Sequence, residues 1–231
     1  MKYYLVSLLV LLLITGCGDS GTNSSQNPTW TVEGKITEQD GTTPLTDATI
    51  AINATNYNNQ MSPDSQGNYQ FTDVPTGSCT VYITKTDYIT VKLHGEVSSN
   101  YNFGTTGIPT KTQWETLLGP GHYNPGQGYI IINAQNSYGD TTPVAGVNIA
   151  VNPMSGVSTG YINGSTIDWD TTITYASGKA ILTGLTPSTV YSVMVIYSSS
   201  RKETITNIKP SANEIDTYFS YRSRTGYTRT Q

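Results

Sequence analysis

The sequence predicts an all-β chain built as two tandem Greek-key β-sandwich domains, and three observations carry that expectation. The first is an internal repeat. Asp40-Gly41-Thr42-Thr43-Pro44 leads into the alternating apolar residues Ala48, Ile50 and Ile52, and Gly139-Asp140-Thr141-Thr142-Pro143 leads into Val147, Ile149 and Val151. Self-similarity of this kind marks a duplicated structural unit. The second is composition. Charged residues make up only 12% of the 231, while Tyr occurs 17 times and Gly 22 times. Tyr and the abundant Thr suit half-exposed pleated surfaces, and Gly and Asn suit the turns between them. The third is a succession of short period-two apolar runs separated by turn signals, the pattern of a sandwich. The repeated turn enters the second strand of each domain, so it reports duplication of the fold rather than of a site.

The N-terminus sets the compartment. Lys2 is followed by an apolar run from Tyr3 to Ile14 and then by Thr15, Gly16 and Cys17. The run is shorter than the ~20 apolar residues a spanning helix needs. A basic start, apolar middle and small-residue end make a secretory signal, here residues 1–16. Ile14-Thr15-Gly16-Cys17 resembles the bacterial lipobox. That resemblance implies that Cys17 is lipidated, becomes the new N-terminus and anchors the protein in a membrane. With Gly18 rather than Asp after the cysteine, it further implies the outer membrane, at the periplasmic face or the cell surface. Residues 17–29 are rich in Gly, Ser, Thr and Asn and read as a flexible tether.

In the first domain, residues 30–105, Trp30, Val32, Gly34 and Ile36 alternate with polar residues as a half-buried strand does. Later strands are expected at Ala48–Ile52, Tyr69–Phe71, Cys79–Ile83, Ile89–Leu93 and Tyr101–Phe103. Asp64 to Val81, with Asp, Gly67, the aromatic Tyr69, Phe71 and the turn Val74-Pro75-Thr76-Gly77, resembles the carboxypeptidase regulatory-like domain. Gly34 and the Gly41–Pro44 turn fit the same pattern. The resemblance implies a transthyretin-like (prealbumin-like, Ig-like) sandwich and a non-catalytic accessory, adhesive or spacer role, with no catalytic residues to carry over. Cys79 stands where that family usually has an aromatic, and its strand parity predicts a buried, inert thiol.

Residues 106–127 form a Gly/Pro-rich connector. Within it Thr112 and Glu115 are spaced as a capping box, and Trp114, Leu117 and Leu118 then follow at helical spacing, which predicts a short helix at the interdomain seam. The second domain, residues 128–221, opens with a strand at Tyr129–Ala134 that is apolar on both faces and therefore central. Gly178 to Pro187 parallels Gly67 to Pro75, and Tyr191, Val193 and Val195 parallel Cys79, Val81 and Ile83. The copies differ most in an insertion around Met154–Tyr175. Asn163-Gly164 signals a hairpin there, and loops on rigid sandwiches commonly carry function. Tyr161 and Trp169 are candidates to stack on a sugar, and Asp168 and Asp170 to accept its hydroxyl bonds or hold a hard cation.

Residues 222–231 are a basic tail whose expected state is a solvated end. Its start resembles the Tyr-Arg-Gly-Ser terminus of transthyretin-related hydroxyisourate hydrolases. Ser223 replaces the Gly, the motif is not terminal and no His lies near a first strand, so that enzyme is rejected. His94 and His122 lack metal-ligand spacing and a nearby nucleophile motif. A Lys35–Asn100 or Lys35–Asn102 crosslink of the Cna-B kind is disfavoured by the outward parity of Lys35. The formal net charge of −4 predicts no broad basic face for nucleic acid. The expected function is a non-catalytic, membrane-anchored binding, adhesive or assembly module without metal or cofactor, partnered by an envelope protein or polysaccharide. The alternatives are a glycan binder centred on Trp169 and a structural spacer or subunit of an extracellular assembly.

Overall fold

Strand follows strand through almost the whole of the computed structural model, which describes residues 28–138, 140–222 and 227–230. The expected signal segment, Cys17 and most of the expected tether lie outside the described residues. The first unit contributes β1 (Thr29–Glu38), β2 (Thr49–Ala54), β3 (Tyr57–Met61), β4 (Asn68–Pro75), β5 (Gly77–Thr84), β6 (Thr90–Val97) and β7 (Tyr101–Ile108). They form two facing sheets, β4-β1-β7 and β6-β5-β2-β3. The period-two pattern places Val32 and Ile36 of β1, Ile50 of β2, and Val81 and Ile83 of β5 in the core between them, each fully buried.

Helix α1 (Lys111–Leu118) leads to the second unit and is the one helix among the described residues. Its box is Thr110 with Gln113, two residues ahead of the expected Thr112 and Glu115. The Gln113 N–H donates to the Thr110 hydroxyl and the Gln113 side-chain oxygen accepts from the Thr110 N–H. Thr110 follows Pro109, whose ring favours the extended chain just before a helix. Trp114 and Leu118 are buried, and Trp114 meets Tyr129 edge-on at 5.5 Å. The helix therefore sits at the seam between the two units.

The second unit holds β8 (Gly128–Ser137), β9 (Asp140–Pro143), β10 (Asn148–Asn152), β11 (Ser158–Asn163), β12 (Thr166–Asp168), β13 (Lys179–Leu185), β14 (Tyr191–Ser198), β15 (Arg201–Ile208), β16 (Glu214–Tyr221) and β17 (Tyr227–Thr230). The opening strand of each unit has a parallel partner from late in the same unit, β7 beside β1 and β16 beside β8. The duplicated turn also bonds alike. Leu45 N–H donates to the Ile36 carbonyl, and Val144 N–H to the Ala134 carbonyl.

Two features depart from simple repetition. In the first unit β3 pairs with β2, whereas the chain at the corresponding place in the second unit crosses to the other sheet, where β11 pairs with β13. The tail, expected as a solvated end, supplies β17, which lies parallel on β15.

The two sandwiches are not beads on a linker. β16 pairs in parallel with β8 on one side and with β6 of the first unit on the other, so Ile215 faces Val91 and Thr217 faces Leu93. One ten-stranded sheet results, in the order β12-β11-β13-β8-β16-β6-β5-β2-β3 with β9 on β8. Its β8-β16 region is buried on both faces, as the two-sided apolar run of β8 predicts. Tyr129, Ile215, Phe219 and Tyr221 join the first unit's core, while Ile130, Ile132 and Tyr218 join the second. Tyr101 and Tyr221 share a buried 2.5 Å hydrogen bond across the joint, and Phe103 packs on Phe219 at 5.6 Å.

Candidate functional site

The connector and the insertion, the two stretches where the copies differ, meet in space. β11 and β12 form a hairpin in which Asn163 faces Thr166, so Gly164 and Ser165 are its two loop residues. Gly164 at φ +60° is at the first loop position, as a II′ turn requires. The Asn-Gly signal thus locates the hairpin, but one residue later than a turn centred on Asn163-Gly164.

Past β12 the chain is curled by Asp168. Its Oδ1 accepts the backbone N–H of Asp170 at 2.9 Å and of Thr171 at 3.2 Å. Its Oδ2 accepts the Tyr175 hydroxyl. These bonds, the Tyr175 hydroxyl first, hold the Asp168 carboxyl below the usual carboxylate range, and the same bond raises the Tyr175 hydroxyl above its ordinary value. The curl lays Trp169 against Gly160, where an added Cβ would stand 2.7 Å from the indole Cε3. The His122 ring lies over Trp169, with centroids 3.7 Å apart and planes within 2°.

Between α1, the hairpin and Gln39 at the turn after β1 opens a groove of about 670 Å³. Thr112, Gln113 and Thr116 line it from the helix, and Ser165 and Thr166 from the hairpin. Leu117, Ile167, Trp169 and His122 give it an apolar and aromatic part. None of its lining residues is Asp, Glu, Lys or Arg. A concave surface that joins an aromatic and apolar wall to a set of hydroxyl and amide groups gives a ligand both contact area and orientation.

The four ligand candidates named from sequence separate on this geometry. Trp169 lines the groove. Asp168 is engaged in shaping the turn, and Asp170 is exposed with its N–H committed to Asp168. Tyr161 is buried at 2% exposure, and its hydroxyl accepts the Ile149 N–H inside the second core. Strand parity explains this, because Tyr161 sits opposite Ala180 on β13, on the inward face of β11. The candidates that sequence reading missed are His122 and the hydroxyl and amide groups of α1. The connector showed only Gly and Pro punctuation and an amphipathic spacing, and nothing in a linear reading pairs it with the hairpin. Among the described residues no group of three or more His, Cys, Asp or Glu is placed to hold a metal ion.

A second polar cluster ties the joint. The Asp216 Oδ1 lies 2.7 Å from His94 Nε2, and Thr80 Oγ1 lies 3.1 Å from His94 Nδ1. The His94 ring stacks on Tyr218 with centroids 4.4 Å apart. Lys92 pairs with Glu214 alongside and bonds Ser211 at 2.9 Å. His94 and Lys92 belong to β6, whereas Asp216, Tyr218 and Glu214 belong to β16, so these contacts link the two units. The outward parity of His94 was legible, but its partner Asp216 lies 122 residues away.

No protein-family model and no curated protein matches this sequence. Solved structures that align with it include a chain of a type II cohesin–X-dockerin complex from Acetivibrio cellulolyticus, 28% identical over 35% of this chain and 56% of that one, with a TM-score of 0.29. The minor pilin GBS52 of Streptococcus agalactiae is 13% identical over 84% of this chain and 94% of its own, with a TM-score of 0.30. The shaft pilin SpaA of Lactobacillus rhamnosus GG is 11% identical over 85% and 98%, with a TM-score of 0.27. The chain thus spans just over half the length of the cohesin–dockerin chain it aligns with.

Proposed function

We propose that this protein is a non-catalytic binding or assembly module of the cell envelope, held to a membrane through a lipid on Cys17 and presenting a two-sandwich stalk. The observation that carries the reading is the joint. A shared sheet, whose strands β8 and β16 give side chains to both cores, makes the tandem one stiff body, and that body places an uncharged groove at its seam. Rigid elements position loops for recognition better than loops position themselves. The domain division at about residues 105 and 128 belongs to this proposal, each sandwich being one copy of a duplicated unit.

The anchor rests on Ile14-Thr15-Gly16-Cys17 and on an apolar run too short to span. A lipid contributes ~0.8 kcal/mol per buried CH₂, and stable anchoring needs two or more chains. Feeding cells an alkynyl fatty acid tests it. Label should enter the intact protein and vanish in Cys17→Ser, and an unlabelled parent protein overturns the anchor. The binding role is tested by crosslinking in intact cells. A reproducible envelope partner or polysaccharide supports it. A chain that crosslinks to nothing, yet whose shortening alters the height of an envelope structure, supports the spacer reading instead.

A further inference from the structure

We propose that the seam groove takes a neutral oligosaccharide, and that His122 occupies the sugar's stacking position on Trp169 while the site is empty. This rests on the binding-module reading and names its ligand class. Three observations converge. The groove's polar lining consists of hydroxyls and amides, Thr112, Gln113, Thr116, Ser165, Thr166 and Gln39, with no ionised carboxylate or ammonium. Such groups exchange bonds with sugar hydroxyls but supply none of the Arg or Lys charge that compensates a bound phosphate or carboxylate. The groove also has an aromatic wall, and the flat apolar face of a pyranose pairs with an indole much as another ring does.

The third observation concerns His122. Its ring sits parallel to Trp169 at 3.7 Å, the distance and tilt a stacked ligand adopts. It stands in the Gly119-Pro120-Gly121 loop, with Gly119 at φ +76° and Gly121 at φ +82°. A Cβ added to either glycine would meet nothing within 4 Å, so the loop carrying His122 is not packed in at those points. Its backbone bond back to the Gly119 carbonyl is long, at 3.4 Å. Among the described residues, no side-chain hydrogen bond tethers the imidazole. The ring is therefore held by its stack, and a sugar that stacks as well and also bonds the hydroxyl lining displaces it.

The test uses the full chain in detergent micelles on an array of neutral gluco-, manno-, xylo- and galacto-oligosaccharides, with uronate-containing oligosaccharides as the acidic arm. The expected result is binding to at least one neutral series and none to the acidic arm. His122→Ala should bind that series about two- to tenfold tighter, the range a released aromatic stack represents. Trp169→Ala should lose binding, and Trp169→Tyr should retain part of it. Absence of neutral-glycan binding by both the parent and His122→Ala overturns the ligand class, as does binding unchanged in Trp169→Ala. Weaker binding by His122→Ala overturns the displacement and makes His122 a direct contact. If glycan binding fails while an envelope protein still crosslinks in cells, the ligand class falls and the binding-module reading stands.

Discussion

Gly67 and Gly178 occupy the same place in the two copies and are required for the same reason. Both adopt positive φ, +81° and +64°. A Cβ on Gly67 would stand 2.2 Å from the Ile36 carbonyl oxygen, and one on Gly178 would stand 2.6 Å from the Ala134 carbonyl oxygen. Those carbonyls accept the N–H groups of Leu45 and Val144 from the duplicated turn. Gly67→Ala or Gly178→Ala should therefore cost at least ~1–2 kcal/mol from the left-handed backbone alone, with the clash added. Urea unfolding at equal m-value checks it, and a midpoint unchanged in both variants contradicts it. Asp168 gives a pH prediction. Its carboxyl is held below the unfolded carboxylate value, so the contribution of its bonds is complete above that value and is lost as pH falls through the folded one. The amide shift of Thr171, whose N–H donates to Asp168, should hold steady down to about pH 4 and move below it, and Asp168→Asn should show no such transition. At this scale the sequence was legible where parity or a glycine rule applied, as for Cys79, Gly67 and Val32. It was silent where a partner lies far along the chain, as for His94 with Asp216 and His122 with Trp169.

The strands explain why some elements were visible and others not. β6, with Val91, Leu93 and Val97 alternating inward, reads directly as a strand. β3 does not, because Tyr57-Asn58-Asn59-Gln60-Met61 is mostly polar and poor in strand-forming residues; it is a strand because it completes a ladder on β2. The same holds for β17, whose position has a further meaning. In the first unit Ile83 faces Val91 and Val81 faces Leu93, and in the second Val195 faces Glu203 and Val193 faces Ile205. β16 sets Ile215 and Thr217 opposite Val91 and Leu93. β17 sets Tyr227 and Arg229 opposite Glu203 and Ile205. β17 thus lies on β15 in the register in which β16 lies on β6, and it covers the 8-residue β15 with a 4-residue outer strand, the short kind that blunts an edge. An uncovered edge recruits other strands. Truncation before Tyr227 should raise the weight-average mass in light scattering as concentration increases, relative to the full chain. A truncated protein whose mass stays that of the full chain at every concentration contradicts this role.

Over the whole molecule, the repeat announced two sandwiches, and the all-β architecture was readable from composition and spacing. Their fusion was not. Nothing in β6 or β16 taken singly specifies a parallel pairing between them, since strand choice between sheets is decided by long-range packing. The two-sided burial of β16 is the one trace, with Ile215 and Phe219 serving the first core and Tyr218 the second. Fusion predicts that the tandem behaves as one cooperative unit, in which a single heat-absorption peak has a calorimetric enthalpy equal to its van't Hoff value. Two resolved peaks contradict it. It also accounts for the groove, because α1 and the β11–β12 hairpin come from different sides of the joint and only a fixed joint keeps Trp169 beside Thr116. The most direct measurement is native-state hydrogen exchange at Val91–His94 and Ile215–Tyr218. The fused sheet predicts that these amides are as protected as the central residues of β1 and β8 and open only with global unfolding. Early exchange of both segments, while the cores of the two units stay protected, would show the units opening independently and contradict the account.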